Sequence, residues 1–495
     1  MDTTEFATAL FNDCCNAGVR ICHWKSNSHL DAALGGRTDL DVLVHPDDSK
    51  LLNGILIQYG ICQVRTPWEG RYSGLEDWVG LDHASGGFIH LHLHYRLVLG
   101  PQNAKCFHPP IEEWLFANLQ RRHGIPIPAP AAELLLLILR MHLKLRPSKM
   151  RKKRHGPGRE IFPDAINLEF DLLARQVTEE ALRKAIADSE LDVEEERIVE
   201  FFREFPRGNV TFQQICRLRR AAFRSLEPHR WESKSRAFTR LIVKRILKEK
   251  MIRRALHPRK KRLVGPGRVV ALIGADGAGK STLVDTLRAK FSWKLCVTVA
   301  YLGIPKRALV VRVLKKRHRR LRSWGLHKLS RVADDLRWLW IAHYRLRTAR
   351  RAHRLAERGM IVFLDRYPQP EFSTMPEPMD GPRIQKLHGG RKTVFGTHEH
   401  RLYKKIPPAT DTFILKAPLD CLRSRKDDLA ADKHRLKVDA VNALGSKPGR
   451  FDIDVTQPLE NVSLDITREL WNRLSPSAAH SSSGRQHLSA RQSVR

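Results

Sequence analysis

Acidic side chains are scarce in this 495-residue chain: 53 Asp and Glu stand against 88 Lys and Arg, a formal net charge of +35. Such an imbalance attracts polyanions, whether nucleic acid, anionic lipid head groups or phosphorylated substrates. Cysteine is sparse too. Its eight copies include no C-x-x-C pair, so neither a disulfide framework nor a cysteine zinc site is suggested, and reduced thiols fit. Long apolar runs are missing, since the longest, Leu134 to Leu139, falls far short of the roughly 20 residues that a membrane span needs. Met1 to Cys15 carries Asp2, Glu5 and Asp13 without a basic start and apolar run, so no targeting leader and a cytoplasmic location are expected. No zinc finger, RNA-binding signature or aromatic-interleaved basic stripe is present, so no dedicated nucleic-acid readout is expected. The basic residues cluster at Lys149 to Arg154, Lys244 to Arg262 and Lys306 to Arg354. A solvated basic surface and a contact with an anionic membrane surface both fit that clustering.

What is present is concentrated in Arg268 to Phe291. Val269 to Ile273 reads as a buried parallel strand, and Gly274-Ala-Asp276-Gly277-Ala278-Gly279-Lys280-Ser281 fills every fixed position of G-x-x-x-x-G-K-[ST], a P-loop. Its glycines let backbone N–H groups turn toward phosphate oxygens, and the helix beginning near Lys280 adds its positive dipole end. Gly274, Asp276, Gly277, Ala278, Gly279, Lys280, Ser281 and Thr282 are therefore the expected ATP-binding residues. Lys280 is expected on the β and γ phosphates and the Ser281 hydroxyl on Mg²⁺. Leu283, Val284, Leu287 and Phe291 give the helix one apolar face.

Downstream, strands and helices alternate, which predicts a doubly wound parallel sheet. Leu295 to Leu302 reads as a strand, Pro305 to Arg358 as a long basic helical insertion, and Met360 to Leu364 as a buried strand ending in Asp365-Arg366-Tyr367-Pro368. Ligands of open α/β sheets bind at strand carboxyl ends, so Asp365 is a candidate for Mg²⁺ through water and Arg366 for an acceptor phosphate.

Upstream, residues 6 to 18 read as a helix and Val19 to Trp24 as a strand. Asp39-Leu40-Asp41-Val42-Leu43-Val44 reads as a strand with both carboxylates on one face, a candidate Mg²⁺ site. Phe88 to His94 reads as another, with Ile89, Leu91 and Leu93 on one face and His90, His92 and His94 on the other. The histidine row fits either a transition-metal site or the polar face of a half-exposed strand. Ile111 to Leu145 reads as helical, and so do Thr178 to Phe205 and Phe212 to Leu226.

Two resemblances follow. The Asp39-x-Asp41 strand preceded by Ser26 resembles the nucleotidyltransferase fold of the DNA polymerase β superfamily, although Lys25 stands where that family has Gly and no third carboxylate is evident. The combination of G-A-D-G-A-G-K-S-T with Leu364-Asp365-Arg366-Tyr367-Pro368 resembles the thymidylate kinase family of P-loop phosphotransferases over about 263 to 474. That likeness implies that Asp276 contacts the acceptor, that Asp365 and Arg366 sit at the phosphate being phosphorylated, and that Leu422 to Lys426 begins a lid. With Gly277 offering no basic side chain, Arg423 and Arg425 are the expected lid arginines for transition-state charge. The family's Arg-Glu-Pro-Gly-Gly stretch is replaced by Tyr301-Leu-Gly303, so the acceptor pocket reads as rebuilt.

The expected architecture is thus an α+β nucleotidyltransferase-like domain (1–146), a basic linker and helical spacer (147–262), an α/β P-loop domain with a helical lid (263–474) and a disordered tail (475–495). The expected activity is ATP- and Mg²⁺-dependent phosphoryl transfer to a nucleoside monophosphate or a sugar or sugar-phosphate acceptor. The whole arrangement resembles bacterial thymidylate kinase-like proteins that accompany surface-polysaccharide synthesis. A bifunctional nucleotidyltransferase and a non-enzymatic ATP-binding regulator or scaffold stay open.

Overall fold

The computed structural model describes residues 2–67, 71–72, 74–101, 105–146, 148, 150, 156–246, 260–369, 381–425, 431–445 and 447–475. Two compact units emerge: Met1–Arg259, to which Ser475–Arg495 is assigned, and Lys260–Leu474. The expected disordered tail beyond Ser475, Lys426 of the expected lid start, and most of the basic stretch 147–155 lie outside the described residues.

In the first unit, strands β1 (Ile21–His23), β2 (Leu40–Val44), β3 (Cys62–Arg65), β4 (Leu75–Leu81) and β5 (Phe88–His94) run in the order β1-β2-β5-β4-β3. β2 pairs with β5 in parallel, and the other pairs are antiparallel. Leu40, Val42 and Val44 share a core with Ile89, Leu91 and Leu93 and with Leu10 and Phe11 of helix α1 (Thr4–Asn16). The even positions of β5 turn the other way, yet His90 and His94 are buried and only His92 is partly open. The half-exposed polar face expected for this strand is therefore covered.

After the short helices α2 (Leu30–Leu34) and α3 (Ser49–Gln58), the segment from Ile111 to Leu145, read as helical throughout, contains strands. Helix α4 (Glu112–Ala117) gives way to a hairpin, β6 (Leu119–Arg122) and β7 (Ile125–Pro128), before α5 (Pro130–Lys144). The reason is local: His123 and Gly124 take φ of 51° and 78°, the two positive values that a tight hairpin turn requires. Helices α6 (Asp164–Ala174), α7 (Glu179–Asp188), α8 (Glu195–Glu204), α9 (Phe212–Ser225) and α10 (Lys234–Ile246) share one apolar core with α5. The stretch read as a spacer thus contributes to the first unit's interior. Its 178–205 segment is two helices, because Glu190 turns left-handed at φ 52°.

The second unit opens with β8 (Arg262–Leu263), followed by β9 (Val269–Gly274), helix α11 (Lys280–Phe291), β10 (Val297–Tyr301), α12 (Leu309–Ser323), α13 (His327–Glu357) and β11 (Ile361–Asp365). Helices α14 (Ile384–Leu387) and α15 (Val394–Lys404), strand β12 (Asp411–Lys416), α16 (Leu419–Arg425), α17 (Ala431–Asn442), β13 (Arg450–Asp454) and α18 (Leu459–Leu474) complete it. The sheet runs β10-β11-β9-β12-β13, parallel throughout. Every residue of β9 is buried, as a central strand covered on both faces requires. The chain leaves β9 toward β10 and β11 on one side and toward β12 and β13 on the other, so a topological switch point lies where β9 ends in the P-loop. The basic insertion is two helices, broken at Gly325 (φ 76°).

Candidate functional site

The loop after β9 is shaped by two left-handed glycines, Gly277 (φ 86°) and Gly279 (φ 75°), the second capping α11. A Cβ on Gly277 would lie 2.4 Å from the Leu422 carbonyl oxygen, so the loop is packed directly against the backbone of α16. Lys280 Nζ donates to the carbonyls of Gly274 and Ala275, both at 2.8 Å, which folds the ammonium over the loop it serves. The first N–H groups of α11 have no acceptor within the helix, and Ser281 and Thr282 are exposed beside them. This is a cradle for a polyphosphate: oriented N–H groups, a helix dipole and one cation on a short tether.

Asp365 ends β11 in register with Leu272 of β9 and Tyr301 of β10, which puts its carboxylate at the carboxyl edge beside the loop. Arg366, the next residue, takes φ 59°, a left-handed conformation that is strained for a side chain of this size. Its side chain crosses Gly303, where a Cβ would come within 2.7 Å of Arg366 Cδ and 2.2 Å of the Tyr301 hydroxyl oxygen. The Gly of Tyr301-Leu302-Gly303 is thus what admits Arg366. Tyr367 fastens the turn by donating its hydroxyl to the Pro407 carbonyl at 2.8 Å.

Asp276 faces the lid side. Burial opposes its charge, but a 2.6 Å hydrogen bond from Lys437 Nζ, with Lys280 and Arg366 in electrostatic range, holds its carboxyl below the ordinary value. His434 Nε2 lies 2.9 Å from the Asp276 carbonyl oxygen. Both partners come from α17, three residues apart on one helical face, and the sequence reading missed them because a polar i, i+3 pair resembles any solvated helix. Arg423 is half-buried and Arg425 exposed on α16, the helix that meets Gly277. A further missed residue is Arg345 of α13, which is buried and donates to the Leu302 carbonyl at 2.6 Å and to the Tyr403 hydroxyl. It fixes the loop that carries Gly303.

The structure therefore gathers the P-loop, Asp276, Asp365 and Arg366 at one edge, with Arg423 on a helix packed against it. Ser281 and Asp365 are hard oxygen donors, a set that suits Mg²⁺.

The carboxylate pair of the first unit is arranged differently. His90 bridges Asp39 (Nδ1 to Oδ1, 2.8 Å) and Asp77 of β4 (Nε2 to Oδ1, 3.1 Å), a third carboxylate not identified in the sequence. Asp41 Oδ1 faces Lys25 Nζ at 2.6 Å, His92 Nδ1 at 3.2 Å and His94 Nε2 at 3.4 Å. Burial works against the Asp41 charge, but Lys25 and the two histidines outweigh it and hold the carboxyl well below the usual range. Burial pushes both imidazoles below the ordinary histidine value, His94 the further. Asp41, His92 and His94 have ligand atoms within 4.8 Å of one another, the spacing of a metal site. The Lys25 ammonium, however, already compensates the charge of the one oxygen they share.

No family model matches the chain. It is 26% identical over 213 residues, 40% of this chain and 84% of the relative, to the uncharacterized ATP-binding protein YghR of Escherichia coli (strain K12). The same figures hold for YghR of Escherichia coli O6:H1. Among solved structures, deoxyadenosine kinase from M. mycoides with bound dATP aligns over 41% of this chain and 98% of its own at 11% identity and a TM-score of 0.27. The same kinase with dCMP and dCDP gives a TM-score of 0.29 at equal identity and coverage, and neither score supports an inference about this chain.

Proposed function

We propose that the second unit is an ATP- and Mg²⁺-dependent phosphotransferase of thymidylate kinase-like type, acting on a nucleoside monophosphate or a sugar or sugar-phosphate acceptor. The observation that carries the reading is the convergence of two separate segments: the P-loop with Lys280 folded over it, and the strained Asp365-Arg366 turn at the end of the adjacent parallel strand. The ATP-binding name of the relative agrees with the first half. Catalysis of this kind is positioning plus charge stabilisation. Lys280 exchanges its two carbonyl acceptors for phosphate oxygens. Arg366 presents a planar pair of donors to the acceptor anion, and Asp276, paired with Lys437 of α17, lies within electrostatic range of it. Arg423 and Arg425 supply positive charge from the lid. Mg²⁺, when bound, neutralises phosphate charge, and Ser281 with Asp365 would hold it.

The test is ATP turnover by the purified full chain across nucleoside monophosphates, sugars and sugar phosphates. ADP formation dependent on one acceptor class is expected. Nucleotide binding without turnover across the panel replaces this reading with an ATP-binding regulator, and pyrophosphate release replaces it with nucleotidyl transfer.

The setting we infer is an anionic membrane face. Helix α12 carries seven Lys and Arg and no acid, while Leu309, Val310 and Val313 on it, and Trp324, Leu326 and Leu329 after it, are exposed. Apolar and basic side chains side by side on a helical hairpin are complementary to lipid head groups above acyl chains. Co-sedimentation with vesicles containing phosphatidylglycerol, absent with pure phosphatidylcholine and lost in Leu309→Glu/Trp324→Glu, is the expected result. Equal recovery with both vesicle types removes this partner.

A further inference from the structure

A cavity of about 700 Å³ opens within the first unit, apart from the carboxylate cluster except where Lys25 belongs to both. Five cations line it: Lys25 after β1, Lys105, and Arg140, Lys144 and Arg146 on or just after α5. No Asp or Glu is among the described lining residues. Helical spacing builds one wall, because Leu137, Arg140, Met141 and Lys144 recur at intervals of three and four along α5 and present one face. Ile161, Phe162 and Ile166 form the apolar wall opposite that charge.

Hydrogen bonding separates Arg140 from an ordinary structural arginine. Its side chain is 6% exposed, and among the described residues neither Nε nor Nη1 has an acceptor. Nη2 reaches Ser26 Oγ only at 3.4 Å, Glu169 Oε1 stands 4.0 Å from Nη1, and the guanidinium lies over Trp24. A buried guanidinium held without matched acceptors is costly, and an anion is what satisfies it. Lys25 is engaged by Asp41, and Arg140 meets Glu169 only at the 4.0 Å limit of an ion pair, so Arg140 and Lys144 are the weakly matched charges of the wall. Lys144 reaches solvent at the mouth but is flanked by protein, and desolvation, with Arg140, Lys25 and Lys105 nearby, brings its ammonium down to about 7. Both observations describe a cavity crowded with like charge, in which the described carboxylates stand behind the wall rather than in its lining.

We propose that this cavity is a second ligand site, independent of the P-loop, that takes a phosphorylated organic molecule. Its phosphate sits between Arg140, Lys144 and Lys25, and its organic group lies against Met141, Phe162 and Ile166. The volume suits a ligand of nucleotide or sugar-phosphate size, and both share this chemistry. The site does not rest on the kinase reading, since no P-loop residue enters it.

Calorimetric titration of the full chain tests it, with ADP, glucose 1-phosphate and inorganic pyrophosphate as probes. At least one of the two organic phosphates binds at a site that survives Lys280→Ala and weakens at least 10-fold in Lys144→Glu. Lys144 is exposed, so that variant folds, and Arg140→Met, checked by circular dichroism, loses the same site. ADP binding there identifies a nucleotide and glucose 1-phosphate binding a sugar phosphate, and either supports the proposal. Pyrophosphate binding tighter than both organic probes overturns the role of the apolar wall. Absence of any site independent of Lys280, or a site indifferent to both Lys144→Glu and Arg140→Met, overturns the proposal whether or not the P-loop binds ATP.

Discussion

Gly277→Ala is the substitution whose cost the structure sets most directly. At φ 86° an alanine is forced into left-handed backbone, which costs about 1–2 kcal/mol. The new Cβ would also stand 2.4 Å from the Leu422 carbonyl oxygen, so α16 must retreat by roughly 1 Å to reach ordinary contact. Overpacking of this kind costs a further ~1–3 kcal/mol. Gly279→Ala isolates the first contribution, because Gly279 has φ 75° but nothing lies within 4 Å of where its methyl group would stand. Differential scanning calorimetry without nucleotide should therefore show both variants melting lower, with Gly277→Ala lower by about 2–4 °C for each extra kcal/mol in a unit of this size. The displaced helix carries Arg423 and Arg425, so turnover should fall more in Gly277→Ala than nucleotide affinity does. Equal melting losses in the two variants would refute the packing of the P-loop on α16 and with it the placement of the lid arginines.

Lys280→Ala should abolish phosphoryl transfer while lowering unliganded stability by only about 0.5–1.5 kcal/mol, since it leaves two part-buried loop carbonyls without their donor at 2.8 Å; a melting curve and an ADP assay decide it. Arg366→Gly should keep the left-handed turn and raise stability slightly, yet cost about 10-fold or more in acceptor turnover, whereas a purely structural arginine would lose stability with activity. Lys437→Met should weaken the lid by less than about 1 kcal/mol, because the pair with Asp276 is partly exposed, and a double-mutant cycle with Asp276→Asn measures it. His142, fully buried and lowered to about 4 by desolvation, is neutral in the folded state while the unfolded chain takes a proton near 6.5. The contribution of His142 to the stability of the first unit is then full above 6.5 and falls by about 3 kcal/mol as pH drops toward 4, and urea titrations of His142→Phe should lose that share of the slope, the buried His23, His92 and His94 keeping theirs.

The P-loop was legible because its chemistry is contiguous: strand, glycines, lysine and helix follow one another, so spacing alone specifies geometry. Asp365-Arg366 was legible for the same reason, as a charged pair ending an apolar run. What sequence could not reveal are partners brought by topology. Lys437 reaches Asp276 across 161 positions, and Asp77 reaches His90 only because β4 and β5 pair antiparallel. The Ile111 to Leu145 error was avoidable in part, since His123-Gly124 is a turn signal, but the flanking Leu-rich helix dominated the reading.

Net charge shows the deeper limit. An excess of 35 positive charges reads as a surface property, yet Arg345 is 1% exposed and Arg140 6%. Burial alone does not say what such residues do; their acceptors do. Arg345 donates to the Leu302 carbonyl and the Tyr403 hydroxyl, so its charge serves to hold the loop beneath Arg366. Among the described residues, two nitrogens of Arg140 lack acceptors, and it opens on a cavity with four other cations. Two buried arginines thus part company on hydrogen bonding: the first is matched by protein acceptors, and the second keeps donors that an anion in the proposed site would fill.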